Sequence, residues 1–268
     1  MTVDRPTRIG LRVVALLYLG LLLLIPVGVV FYRTFEKGVG AVWDSVTTPA
    51  AIHALSLTLE VALISVPLNA AFGVLAALAL VRGAFPGKRL LDALIDLPFA
   101  ISPVVIGLSL LLVYGRTGWL GPWLTDHGIQ IIFSLPGIVI ATVFVSMPFV
   151  AREVAPVLRE VGEEQEQAAA TLGASAWQTF WRVTLPSIRW GLAYGVVLST
   201  ARAIGEFGAV SVVSGKIAGE TDTLTLLVEK RFQNFDLAGA YAASALLAVI
   251  ALSTLLLMSF IGSRSADA

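Results

Sequence analysis

Glu163–Pro186 reads EEQEQAAATLGASAWQTFWRVTLP, and its setting decides the fold. It is the longest charged, amphipathic segment of an otherwise apolar chain, and it lies between two hydrophobic runs. Glu163–Leu172 is rich in Glu, Gln and Ala, which are good helix formers. Gly173 supplies a stop. Ser175 with Gln178 three residues later is a capping-box pattern, so a second helix is expected to start at Ala176. Trp177, Phe180 and Trp181 then fall at i, i+3 and i+4 and share one face. Pro186 is expected to end that helix before the next apolar run. The spacing predicts two short helices, bent at Gly173, lying against a membrane surface. On pattern alone, such a segment either fits a groove in a partner or packs in the interface.

The composition supplies the membrane. Of the 268 residues, 57% are hydrophobic and only 13% are charged, and the mean hydropathy is +0.88. A soluble domain is about 25% charged. The net charge is zero, so no basic surface points to nucleic acid. The chain has no cysteine, which excludes disulfides and thiolate metal sites. His53 and His127 stand far apart and are expected in loops, not in a metal site. Arg5, Arg8 and Arg12 precede the first apolar run, but that run is too long for a signal h-region and no A-x-A site follows, so it reads as a retained helix.

Six runs reach the roughly 20 residues needed to cross about 30 Å of hydrocarbon: 11–32, 55–81, 97–115, 131–150, 191–213 and 239–261. Pro98, Pro103, Pro136 and Pro148 interrupt the third and fourth, as bundled membrane helices tolerate. The expected architecture is an all-α membrane protein of six transmembrane helices, with tails at 1–10 and 263–268 and one transmembrane domain over 11–262. With the N-terminus inside, eleven basic residues collect on one face and six on the other. This places both termini, the 82–96 loop and the Glu163–Pro186 stretch in the cytoplasm. The outer loops then carry His53, Trp119, Trp123 and the 214–238 segment.

The fifth run carries the costliest residues. Arg202 lies about 18 Å into it, at 1.5 Å per residue, where an ionisable group costs at least ~2.5–3.5 kcal/mol. Glu206 follows at i+4 and can meet it on one face. The pair either lines a polar path for a divalent anion or locks the helix structurally. Ser199, Thr200, Ser211 and Ser214 either serve a passing oxyanion or bond back to their own helix. Gly191 and Gly195 form a GxxxG, continued by Ala201, Gly205 and Ala209, and read as close-packing positions. Asn69 beside Pro67, and Ser102 beside Pro103, either line the path or satisfy carbonyls freed by the prolines; the second is favoured. Asp92 and Asp96 read as a solvated or interfacial face. The nearest approach to a phosphate-binding loop, Gly83-Ala84-Phe85-Pro86-Gly87-Lys88-Arg89, lacks a spacer residue and the Ser/Thr after the lysine, and follows no strand. Nothing in the pattern supplies a catalytic or metal-binding group, so any ATP hydrolysis must sit on a separate partner.

Gln167-Ala168-Ala169, three residues, Gly173, nine residues, Val183-x-Leu185-Pro186 resembles the EAA loop of ABC importer permeases. The spacing agrees throughout, with Gln167 in the acidic position, Glu166 one place upstream and about 100° round the helix, and Val183 in the isoleucine position. Leu97–Val105, Phe149–Glu153 and the run ARAIGEFGAVSVVSG at Ala201–Gly215 are similar to the sulfate/thiosulfate permeases, in their CysW-type subunit. The last run is shared in shorter form with molybdate permeases, while Lys216–Thr221 favours the sulfate group. The resemblance implies a type I ABC importer permease fold and an ATPase-coupling loop over about 151–189. It also implies a CysT/CysU-type permease partner, two CysA-type ATPase subunits that hold ATP and Mg, and an extracytoplasmic sulfate/thiosulfate-binding protein. Coupling would fall to Glu166, Gln167, Ala168, Ala169, Gly173, Trp177, Phe180, Trp181, Leu185 and Pro186, and the path to Arg202, Glu206, Ser199 and Ser211. With Gln167 neutral, docking is expected to rest on the aromatic face more than on a salt bridge. The membrane implied is the bacterial inner membrane. The rivals are a molybdate or tungstate permease, a passive anion channel and an integral membrane enzyme.

Overall fold

A computed structural model describes the backbone of residues 5–266, with side chains from residue 10 to 254 and those of Thr7 and Leu256. The outermost tail residues, 1–4 and 267–268, and the side chains of Arg5, Arg8 and Arg264 lie outside the described residues. Among those described there is no strand.

The first crossing combines α1 (Arg5–Leu19), a π turn (Gly20–Leu24) and α2 (Ile25–Phe35). Its apolar side chains from Leu11 to Ile25 face away from the rest of the chain. Thr34 anchors its end by donating to the Tyr241 carbonyl at 3.0 Å. Helix α3 (Val39–Val46) leads to α4 (Pro49–Arg82), whose 34 residues extend about 51 Å. Thr48 caps α4 by accepting from the Ala51 amide, and Pro49 sits in the first turn, where its missing N–H costs nothing.

The third expected span is not one rod. Helices α5 (Lys88–Ala100) and α6 (Pro103–Tyr114) meet at 111°. Ile101 and Ser102 are extended, because a residue before proline is driven out of the helical region, and Pro103 then opens the new helix. After α7 (Gly121–Asp126), α8 (Leu135–Val161) runs 27 residues unbroken through Pro148 and Pro156. The loop helices α9 (Glu164–Thr171) and α10 (Ala176–Thr179) come next, then a π turn (Phe180–Thr184) and α11 (Leu185–Ile204). The fifth expected span also stops early: α11 ends at Ile204, and only the four-residue α12 (Val210–Val213) follows before the 214–238 segment. Helices α13 (Leu224–Gln233) and α14 (Leu237–Ala266) complete the chain. The 214–238 segment, expected as an outer loop, is therefore partly helical. Among the described residues four helices are long and apolar enough to cross a membrane, and the bent α5–α6 pair makes five if it is one broken span. Helix α11, with 20 residues, is long enough to be the sixth of the expected crossings, though it is less apolar than those four.

The core is the bundle of α4, α8 and α11. Apolar burial drives little association between helices already in lipid, so contact depends on how closely backbones approach. Three glycines set that approach. A Cβ on Gly73 would lie 2.6 Å from the Val150 Cβ, one on Gly195 2.9 Å from the Val150 Cα, and one on Gly191 2.8 Å from Val157. The close-packing expectation for Gly191 and Gly195 thus holds. The pairings 73/150 and 69/146 rise together, so α4 and α8 are parallel; 191/157 and 195/150 run opposite ways, so α11 is antiparallel to them.

Candidate coupling loop and translocation path

The loop folds as its local signals dictate. Helix α9 closes at Gly173, whose φ of +86° few residues but glycine adopt. Ser175 accepts from the Gln178 amide at 3.3 Å while the Gln178 side chain accepts from the Ser175 amide at 2.9 Å, the two halves of a capping box. Trp177, Phe180 and Trp181 form one cluster, with ring centroids 5.4–6.3 Å apart. Phe180 packs inward against the α4–α8–α11 core, whereas Trp177 and Trp181 are 70% and 50% exposed. Pro186 does not end the second helix. The chain passes from α10 through the π turn into α11, with Pro186 in the first turn of α11. The wider π turn relieves the clash that proline makes with the preceding turn.

Gln167, Ala168 and Leu172 are exposed, Leu172 at 89%, while Ala169 and Leu185 are half-buried. A groove of about 760 Å³ runs between α9 and the start of α11, lined by residues that include Ala168, Leu172, Arg182, Pro186 and Arg189. Glu166 faces the other way. Its Oε2 accepts from the Arg82 Nε at 3.0 Å and its Oε1 from the Thr184 hydroxyl at 2.9 Å. A second Arg82 nitrogen donates to the Gly162 carbonyl.

The two interrupted spans meet at their breaks. A Cβ on Gly208 would lie 2.8 Å from the Pro103 Cβ, and one on Gly107 2.7 Å from the Ala209 carbonyl oxygen. Non-helical backbone at membrane depth is tolerated where protein buries it or where it lines a cavity. Glu206 sits in this break and organises it. Its Oε1 accepts from the Ala209 amide at 2.9 Å, and its carbonyl accepts from the Thr225 hydroxyl at 2.9 Å. Its Oε2 lies 2.7 Å from the Arg202 Nη2, close but off the hydrogen-bond direction. Glu206 is 1% exposed in its side chain and Arg202 30%. The carboxylate is thus fixed in the protein while the guanidinium keeps an open side.

The other path candidates divide. Ser199 is fully buried with its hydroxyl unpartnered among the described residues. Thr200 bonds back to the Val196 carbonyl at 2.7 Å, and Ser211 to that of Gly208 at 2.8 Å. Asn69 does not serve the carbonyl freed by Pro67; its amide donates across to Ser146 on α8 at 2.9 Å. Ser102 makes no side-chain cap at the start of α6. Asp92 and Asp96 are not simply a solvated face. Both hold Arg152 of α8, at 2.7 and 2.6 Å, and so fasten α5. The two arginines that tie the loop end of the bundle, Arg82 and Arg152, were not legible in the sequence because their partners lie 84 and 56 residues away. His53 lies within α4, not in a loop, and His127 follows α7 with its Nδ1 2.7 Å from the Trp123 carbonyl oxygen. The described residues hold no cluster fit for a metal ion.

Residues 69–266 match the family of the binding-protein-dependent transport system inner membrane component. The sulfate transport system permease protein CysW of Synechococcus elongatus is 54% identical over 252 residues, covering 94% of this chain and 88% of that protein. The CysT permease of the same organism is 40% identical over 242 residues, covering 90% of this chain and 87% of its own. A chain of the bacterial alginate ABC transporter, solved in complex with an alginate pentasaccharide-bound periplasmic protein, superposes with a TM-score of 0.79 at 18% identity, over 96% of this chain and 94% of that one. This chain has the fold of a type I ABC importer permease, with the amphipathic 163–186 loop and two spans broken side by side. The chain belongs to the binding-protein-dependent transport system inner membrane components.

Proposed function

We propose that this chain is the CysW-type permease subunit of an ATP-driven sulfate/thiosulfate importer in the bacterial inner membrane, with both termini cytoplasmic. It pairs with a CysT/CysU-type permease subunit, and two CysA-type ATPase subunits dock on the paired loops. A sulfate- or thiosulfate-binding protein delivers the oxyanion to the outer segment. ATP and Mg belong to the ATPase, and this chain performs no hydrolysis. ATP binding draws the ATPases together, the loops follow, and the helices rock between inward- and outward-facing arrangements.

One observation carries this reading. An exposed aromatic and aliphatic surface on the loop runs directly into α11, the interrupted span that holds a partly exposed arginine. A channel needs no such loop, and an enzyme needs acid–base or metal groups beyond this one pair. Arg202 and the amino end of α6 put positive potential at the break, which suits a tetrahedral anion. Glu206 offsets that charge, so the anion is attracted without being trapped.

The test is co-purification in mild detergent, followed by ATPase and uptake assays with binding proteins loaded with sulfate, thiosulfate or molybdate. Sulfate or thiosulfate should stimulate both activities. Deletion of Gly173–Thr184 should abolish uptake while the spans remain inserted. Stimulation by molybdate alone, or uptake that survives the deletion, would overturn the assignment.

A further inference from the structure

Four segments meet around the Arg82–Glu166 pair at the cytoplasmic end of the bundle. Arg82 is the last residue of α4 and contacts Glu166 of α9 at 3.0 Å, the Gly162 carbonyl just after α8, and, at 3.9 Å, Glu163. Thr184, the final residue before α11, donates to the other oxygen of Glu166 at 2.9 Å. Arg82 and Glu166 keep only 18% and 23% of their side chains exposed. Both oxygens of Glu166 are thus engaged inward, away from the surface that carries Gln167, Ala168 and Leu172.

The segment this carboxylate holds has little stiffness of its own. Helix α9 has eight residues, fewer than the ~12–15 at which an isolated helix is even marginal. Glycines flank it on both sides, Gly162 at φ +71° and Gly173 at φ +86°, and open space surrounds both where a Cβ would stand. Without the Arg82–Glu166–Thr184 tie, α9 would swing on these two joints and absorb any displacement applied to it. With the tie, the displacement enters α4. That helix reaches the other face of the bundle, where Thr58 accepts from the Leu224 amide at 2.9 Å and Arg231 donates to the capping Thr48 hydroxyl at 2.9 Å.

We propose that Glu166 is a positioning residue for coupling: it clamps the loop to α4, so that loop movement is delivered to α4 and, through it, to the outer segment. This rests on the reading of the loop as the ATPase docking surface. The tie assigns Glu166 a role inside the subunit, distinct from contact with the ATPase.

The experiment uses the complete transporter in liposomes and reads oxyanion moved per ATP hydrolysed. Glu166→Ala and Arg82→Ala should each lower that ratio by about ten-fold while the ATPase stays bound to the complex. The double variant should be no worse than either single one, because residues acting through one contact are non-additive. Thr184→Val, which removes one donor and keeps the shape, should give a smaller loss in the same direction. An unchanged ratio in both alanine variants, additive losses in the double variant, or loss of the ATPase in proportion to uptake would each overturn the proposal. Failure of the docking reading itself shows separately, as unaltered chain that does not retain an ATPase.

Discussion

Arg202→Gln and Glu206→Gln, made separately, should change anion occupancy in opposite directions. Glutamine at 206 keeps an oxygen for the Ala209 amide, which Glu206 engages at 2.9 Å, and removes only the charge that faces Arg202 at 2.7 Å. Breaking a fully buried pair costs ~3–5 kcal/mol. Arg202 is 30% exposed and can take up water, so the structural cost should be nearer ~1–3 kcal/mol. The freed guanidinium then attracts an oxyanion more strongly, since a hydrogen bond to a charged group contributes ~1.5–3 kcal/mol. At 1.4 kcal/mol per decade, that is about ten-fold or more in retention. Glu206→Gln should therefore hold more radiolabelled sulfate in complexes arrested with a non-hydrolysable ATP analogue, and turn over more slowly because release is slowed. Arg202→Gln should hold about ten-fold less and also turn over more slowly. Assembled complex, counted by subunit stoichiometry in detergent, normalises both measurements. Parallel loss of complex in the two variants with no change in bound sulfate would refute the reasoning and leave the pair as a lock on α11.

Three further expectations follow from the packing and the outer segment. Gly73→Ala should destabilise the bundle: alanine brings about 1 kcal/mol of helix propensity, but its Cβ would stand 2.6 Å from the Val150 Cβ and 2.9 Å from the Ala151 nitrogen, and overpacking costs ~1–3 kcal/mol. A raised unfolding temperature of the purified complex would contradict this. Trp177→Ala and Trp181→Ala should leave the fold unchanged, both rings being half or more exposed, and weaken ATPase retention by about ten-fold or more if either is a docking anchor; undiminished retention in the double variant would count against the aromatic face. Burial raises the Asp222 carboxyl above its usual range, opposed by Lys230 at 3.6 Å. A raised folded-state pKa gives stability that is full below the ordinary carboxylate pKa and is lost as pH rises through the raised value. Hydrogen exchange across 214–236 should therefore quicken as pH rises through that window beyond the intrinsic rate, and Asp222→Asn should remove the effect.

What the sequence made legible was local. The capping box of Ser175 and Gln178, the glycine stop at 173 and the aromatic triplet each depend on neighbours within a few residues, and each folds as its pattern indicates. Four of the apolar windows likewise fell on long apolar helices. The breaks were less legible, because hydropathy averages over a window and cannot see a backbone turn inside it. Pro103 was in view, but the 111° bend requires Ser102 to be extended and Gly208 to make room for the ring. The stop after Ile204 carries no proline at all. It depends on Glu206 capping Ala209 and on Thr225, from another helix, holding the Glu206 carbonyl. The role of Asn69 is illegible locally for the same reason: its partner, Ser146, lies 77 residues away.

The displaced acid in the loop now has a physical reading. A pattern match places the family's carboxylate at Gln167 and invites Glu166 to serve in its stead. The helix geometry opposes that substitution, since adjacent positions differ by about 100°, and Glu166 turns into the bundle while Gln167 stays exposed. A carboxylate already engaged by Arg82 and Thr184 has little left for an outside arginine, and turning it outward would strand Arg82 beside the Gly162 carbonyl. The two positions therefore face different surroundings. Glu166 fixes the loop to α4, and Gln167 leaves the outer surface neutral beside Leu172, Trp177 and Trp181. On that division, docking depends on desolvating apolar and aromatic area, so it should resist salt far better than a contact built on an exposed ion pair, which ions screen over about 8–10 Å.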